Sequence, residues 1–473
     1  MYGILKCGDG GDRLDFENSN KKINNMTEGS PIKLIFAFAV PMLIGNIFQQ
    51  LYNMVDSIVV GNYVGKTALA AVGTGFPIIF FIVSIFIGIS VGSTILISQY
   101  YGAGDIENVT RTSRTIYTAM IVGSIPLSLI GLIFCGPILN LMNVPADTFP
   151  LAKQYMSIVF AGLIGSLGFN INAGILQGLG DSKSSLLFLA IACVINVVLD
   201  LAFVLIVPWG VAGVAYATII AQFFSWGFGI VYMRKKYNLL KFPILKFKFD
   251  KDIFVKIIKL GIPSSIQQAL FSVGIMSLQS LVNSYGSDFM AGFNAANKID
   301  TFAFMPIQSF ANAVTTYVGQ NVGAKRFDRV HQGAVSTIIL SIVFSIVLGA
   351  IVLPLGPAML KLFNPDPNVI ESGMVYLKTV VPFFALLALI FTLSGVMRGA
   401  GESIIPMIGS IVSLWVGRVP ASYLLAKYAG RDYIFYSYAI GWFLWFIIAV
   451  PYYTSGKWKS KSESLLQKSE ELI

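Results

Sequence analysis

Charge is what this sequence has least of. Only 12% of its 473 residues are Asp, Glu, Lys or Arg, and histidine occurs once. A soluble chain of this length carries about 25% charged residues, so a large soluble core under an ordinary polar surface is excluded. The three cysteines, Cys7, Cys135 and Cys193, lie far apart. They form no metal-ligand or redox spacing and read as free thiols, two of them in apolar runs. His331 follows Arg326 and Arg329 in a polar connection and reads as a surface residue. Enzyme signatures are missing too. No Gly-x-Ser-x-Gly, His-Glu-x-x-His or dinucleotide fingerprint occurs. Gly61-Asn-Tyr-Val-Gly65-Lys66-Thr67 is one residue short of a phosphate-binding loop. The chain reads as a non-enzyme without a resident cofactor, driven by an ion gradient or by a separate subunit.

What the sequence does hold is apolar length. Hydrophobic residues make up 55% of the chain, in runs of ~20 that suit bilayer-crossing helices. Twelve spans are predicted, over 33–60, 68–101, 112–138, 151–176, 184–207, 211–233, 253–283, 289–322, 332–356, 373–397, 404–427 and 434–454. The net charge of +10 does not indicate nucleic acid, because the cations sit between spans. Arg111, Arg114, the run from Arg234 to Lys251, Lys325, Arg326, Arg329, Lys457, Lys459 and Lys461 all fall on one side. The positive-inside rule places that side, with both termini, in the cytoplasm of a cell-membrane protein. Residues 1–30 are polar and lack a signal core. They are expected to be a disordered segment, with Met26 as a candidate start. A six-span lobe over 31–233, a linker over 234–252, a second lobe over 253–454 and a tail over 455–473 complete the expected organisation.

The two lobes are copies. Gln99, Gly102, Asn143, Tyr155, Gly178 and Asp181 recur as Gln320, Gly323, Asn364, Tyr376, Gly399 and Glu402, each 221 positions later (320 − 99; 399 − 178). Six spans per copy is an even number, so the repeat is parallel, with a pseudo-two-fold axis along the membrane normal. The fold class is an all-α integral membrane protein of two six-helix bundles with a cavity between them.

Carboxylates inside apolar helices cost several kcal/mol on insertion scales, so each is a functional candidate. Gln49, Tyr52, Asn53 and Asp56 share one face of the first span. Asn196 and Asp200 share a face of the fifth, and Thr218 and Gln222 a face of the sixth. Counting from the span ends at 1.5 Å per residue puts Asp56, Asp200 and Thr218 at a similar depth, ~6–11 Å from the outer rim. Two carboxylates, the Asn196 amide and the Thr218 hydroxyl form an all-oxygen cluster suited to a hard cation such as Na⁺ or to a shared proton. Hydrogen bonding between helices is the alternative reading of the same side chains. In the second lobe Gln268, Asn297 and Asp300 are candidate cavity residues. Lys298 and Asp300 do not face each other, and Arg418 is a buried charge with no evident partner.

Together these stretches resemble the MATE (multidrug and toxic compound extrusion) family, in its prokaryotic DinF-like and MepA-like branch, over about residues 30–455. The resemblance is carried by Pro41, Asn53-Met-Val-Asp56 and Val60-Gly61, and by Gln99-Tyr-Tyr-Gly102-Ala103. Gln177-Gly178-x-Gly180-Asp181, Asn196-x-x-x-Asp200 and Gly210-x-x-Gly213-x-x-x-Ala217-Thr218 extend it. The second half adds Met305-Pro306, Gly319-Gln320-Asn321-x-Gly323-Ala324 and Arg398-Gly399-x-Gly401. It implies a secondary antiporter exporting organic, mostly cationic, compounds in exchange for Na⁺ or H⁺. The implied coupling site, or metal site if Na⁺ is used, is Asp56, Asn196, Asp200 and Thr218. Gln49, Tyr52 and Asn172 become candidate drug contacts. The partners expected are small organic cations and the lipid bilayer, with a monomeric protein and no nucleic acid. Some relatives carry coupling acids on the seventh and tenth spans; here those stretches read Gln267-Gln268 and Phe383-Phe-Ala-Leu-Leu387. A lipid or oligosaccharide flippase of the same superfamily is the alternative function.

Overall fold

The structure, a computed structural model, describes residues 25–241 and 248–459. Twelve rods build it: α1 Pro31–Val64, α2 Lys66–Gly102, α3 Ile106–Leu141, the bent α4 Phe149–Ala161 with Leu163–Gly178, α5 Ser182–Ile206 and α6 Gly210–Lys236. The second set is α7 Lys251–Asn283, α8 Ser287–Gly323, α9 Phe327–Lys361, α10 Pro367–Gly399, α11 Ile404–Tyr428 and α12 Arg431–Thr454. No strand occurs among the described residues. Every predicted span falls on its own rod. All but α7 and α8 are apolar enough along their length to cross a bilayer, α4 only when its two segments are taken together. α7 and α8 are equally long but more polar, and α8 is buried almost continuously from Ser309 to Gly323.

Local chemistry sets the rod ends. Asp105, Asp181, Asp250 and Asp366 cap α3, α5, α7 and α10, each accepting a backbone N–H from the first turn. Gly65 and its repeat mate Gly286 precede α2 and α8 at φ +113° and +96°, a left-handed backbone that glycine adopts without penalty. The bend of 52° in α4 sits at Gly162, where a Cβ would lie 2.4 Å from Ile219 Cγ2 of α6.

Each lobe has its own apolar core, around Ile95, Leu167 and Phe188 in the first and Phe293, Tyr376 and Leu393 in the second. The lobes meet where α2 crosses α7 and α8, and where α1 lies along α8. Gly92 of α2 approaches α7 so closely that a Cβ would stand 2.3 Å from the Ile257 carbonyl oxygen. Asn46 of α1 donates to Ser309 Oγ of α8 at 3.2 Å. With twelve rods alternating in direction, the described cations of the predicted basic side fall at the end where α1 begins and α12 ends, called here the terminal face. Lys246 and Lys461 lie outside the described residues.

The expected disordered segment needs correction from residue 26 onward. Met26 is buried, with 1% exposure. Its N–H donates to Gln320 Oε1 at 2.9 Å, and its carbonyl accepts from Asn321 Nδ2 at 3.1 Å. Arg329 and Arg326 hold the carbonyls of Gly29 and Thr27. Residues 1–24, and with them the expectation for that stretch, lie outside the described residues. The start of the tail is also docked, since Trp458 is buried and stacks on Tyr453 at 5.7 Å.

Candidate functional site

Three rods of the first lobe supply the predicted cluster, and their backbones share a feature. The described chain has three π-helical segments, 60–64, 202–206 and 412–418. The first begins four residues after Asp56 and the second two residues after Asp200, and the third ends at Arg418. Widened turns of this kind release backbone groups and re-aim side chains, and they recur at functional sites.

Asp56 of α1 and Asp200 of α5 lie within electrostatic reach of each other. Neither oxygen of Asp200 nor Oδ1 of Asp56 accepts a hydrogen bond from any described donor, and Asn196 Oδ1 is unpaired as well. Asp200 is fully buried and Asn196 nearly so. The Asn196 amide is turned by its donor side, since Nδ2 reaches Thr218 Oγ1 at 3.5 Å. Tyr52 O–H donates to the same Thr218 oxygen at 3.4 Å, and Thr218 passes its own proton to the Val214 carbonyl at 3.0 Å. The result is four buried acceptor oxygens, all from carboxyl or amide groups, converging without a donor. Buried acceptors that lack a donor are costly, and a proton between the carboxyl groups or a small hard cation removes that cost. The donor set therefore fits Na⁺ or H⁺.

A small cavity of about 30 Å³ adjoins the cluster. Gln49, Tyr52, Asn196, Thr218 and Gln222 line it, with Phe169, Leu189 and Cys193 as an apolar wall. Drug-contact and ion-site candidates thus share side chains. Asn53 lies on the predicted face of α1 and is half-buried, but is not part of this lining. Asn172 departs from its predicted role as a drug contact. It is fully buried; Tyr117 O–H donates to its Oδ1, and its Nδ2 donates to the Trp226 carbonyl at 3.0 Å. Both ends of the amide are used in tying α3, α4 and α6 together.

The second-lobe candidates do not join this cavity. Gln267 donates to Ser410 Oγ at 2.6 Å, while Gln268 and Asn297 are half-buried on α7 and α8. Lys298 is exposed. Asp300 lies against Tyr376 of α10 and within electrostatic reach of Arg418. Arg418 is 7% exposed, and its guanidinium stacks on Tyr438 of α12 at 3.3 Å from the ring centre. Its surroundings are thus an aromatic face and, within electrostatic reach, the Asp300 carboxylate.

One site residue was missed. Tyr155 of α4 stands within electrostatic reach of both Asp56 and Asp200. Its signal was present in the repeat, because its mate Tyr376 holds the corresponding place beside Asp300.

The MatE family pattern matches residues 41–202 and 263–424, one match per lobe. The chain belongs to the MATE family. It is 30% identical over 440 residues to a probable multidrug resistance protein, YpnP, of Bacillus subtilis, covering 93% of this chain and 98% of that one. It is 26% identical to a probable multidrug resistance protein, NorM, of Thermotoga maritima, covering 93% and 96%. Among solved structures it resembles a MATE point mutant, with TM-score 0.86, 24% identity and coverage of 94% and 99%. It also resembles a MATE multidrug resistance transporter in an outward-facing conformation, with TM-score 0.83, 25% identity and coverage of 94% and 99%. As a MATE protein it is a multi-pass membrane protein of two six-helix lobes.

Proposed function

We propose that this MATE protein exports organic cations across the cell membrane in exchange for Na⁺ or H⁺, with the basic terminal face in the cytoplasm. The observation that carries the reading is the donor-free oxygen cluster of Asp56, Asp200 and Asn196 beside a cavity that shares Asn196, Thr218 and Tyr52. Two adjacent buried carboxylates repel each other, so the empty cluster favours any cation within reach. An organic cation admitted when the cavity of about 30 Å³ widens and a small ion in the cluster both relieve that charge. They therefore weaken each other's binding, and that negative coupling is what exchange requires. The Tyr52–Thr218–Asn196 chain connects the two places, so filling one re-aims side chains of the other. Relatives named as multidrug resistance proteins support the substrate class.

The test is efflux of a cationic dye from proteoliposomes under a Na⁺ gradient alone and a pH gradient alone. One gradient drives efflux in the wild-type protein, and Asp200→Asn lowers the driven rate at least tenfold while membrane insertion is unchanged. Undiminished efflux by a well-inserted Asp200→Asn protein contradicts the reading.

A further inference from the structure

The residues that mark the repeat most clearly are used at the seam between the lobes. Gln99 Nε2 of α2 donates to the Gly399 carbonyl of α10 at 2.9 Å, and Gln320 Nε2 of α8 donates to the Gly178 carbonyl of α4 at 3.3 Å. Both donors and both acceptors are repeat mates (320 − 99 and 399 − 178 are each 221). The two bonds are therefore one interaction made twice across the pseudo-two-fold axis, each reaching from one lobe to the other. The acceptors are last-turn carbonyls of α4 and α10, which lack a partner within their own helix.

The backbones are built for this approach. A Cβ on Gly102 would lie 1.9 Å from the Gln320 carbonyl oxygen, and one on Gly323 would lie 1.9 Å from that of Gln99. Gln320 has a second bond, because its Oε1 accepts the Met26 N–H. Met26 and Gly29 are held in turn by Arg329, at 3.4 and 2.9 Å to their carbonyls. The same side chain thus joins the lobes and seats the segment before α1.

We propose that Gln99 and Gln320 are the lock that keeps the terminal face closed during transport, and that the segment Met26–Gly29 is a strap holding the Gln320 half in place. The proposal rests on the exchange reading above, taken to proceed by opening the two lobes alternately to either side, and goes beyond it by naming the residues that set the balance between those states. Four groups change partners when the lobes part: the two glutamine amides and the two helix-end carbonyls. All lie near the terminal face, where water can replace the lost bonds. The lock is then strong enough to bias the equilibrium and weak enough to open.

The test reads conformation directly. Spin labels are placed at Lys183→Cys and Ile404→Cys, repeat mates (404 − 183 = 221) at the starts of α5 and α11 and both exposed. Distances between them are measured on the full chain in lipid nanodiscs. Gln99→Leu and Gln320→Leu are each expected to raise the long-distance (open) to short-distance (closed) ratio about three- to tenfold, and the double variant to raise it further. Arg329→Met, which leaves both inter-lobe bonds in place, is expected to raise it in the same direction through the strap. Should Gln320→Leu fold poorly, Gln99→Leu reads the lock alone. Monodisperse Gln99→Leu with wild-type distances overturns the lock, and unchanged distances in Arg329→Met overturn the strap. The distances require no transport, so absence of ion-driven efflux in the wild type would remove the antiport reading without deciding this one.

Discussion

At the scale of single residues, the chemistry turns on groups that lack a partner. Tyr155 stands within electrostatic reach of both carboxyl groups of the Asp56–Asp200 pair. Tyr155→Phe keeps the ring and removes only the hydroxyl. It is expected to shift the pH or Na⁺ dependence of efflux while changing protein yield little, which a dye-efflux titration checks. Asn172→Ala, in contrast, opens the tie made with Tyr117 and Trp226. It is expected to cost about 1–3 kcal/mol of stability through the unpaired buried groups, seen as a lower Tm, with ion dependence unmoved. The spacing of Tyr52, Asp56, Asn196 and Asp200 made their shared faces readable, since helical geometry alone decides that. Asn172 was not readable in the same way. Whether a buried amide turns to a cavity or to neighbouring helices depends on Tyr117 and Trp226, which are brought to it only by packing.

Among the helical elements, caps and π segments do what hydropathy does not report. Asp181 caps α5 and is bound by Lys236 at 2.7 Å and by the Tyr237 hydroxyl. Burial by itself would raise its carboxyl pKa, but hydrogen bonds from Lys236, Ser184 and Tyr237 outweigh burial and hold it below the usual carboxylate range. A depressed folded-state pKa stabilises the protein above the unfolded value of about 3.9, and that contribution is lost as pH falls through the folded value. Asp181→Ala is therefore expected to lower stability by about 1–2 kcal/mol at neutral pH through the lost cap. The gap to wild type should narrow below about pH 4, in thermal melts of the detergent-solubilised protein. The spans were legible to within a few residues because apolar runs end at charges, glycines and prolines. The π segments after Asp56 and Asp200 were not, because a widened turn leaves the hydrophobic pattern nearly unchanged.

For the whole molecule, the repeat sets the architecture and its asymmetry assigns the work. Tyr155 and Tyr376 occupy matched places, yet the first stands beside two carboxyl groups and the second beside one carboxyl, with Arg418 nearby. The parallel two-lobe arrangement followed from the constant offset and the even span count. The partner of Arg418 did not, since Asp300 and Tyr438 come from two other rods. The central claim is that Asp56 and Asp200 hold a small cation which an organic cation displaces. Its most direct test is to add tetraphenylphosphonium to the purified protein and measure release of H⁺ with a pH indicator, or of ²²Na⁺ by filtration. About one ion released per organic cation bound, and none from Asp200→Asn, is the expected result. Organic-cation binding with no ion released, or equal release from Asp200→Asn, would contradict it.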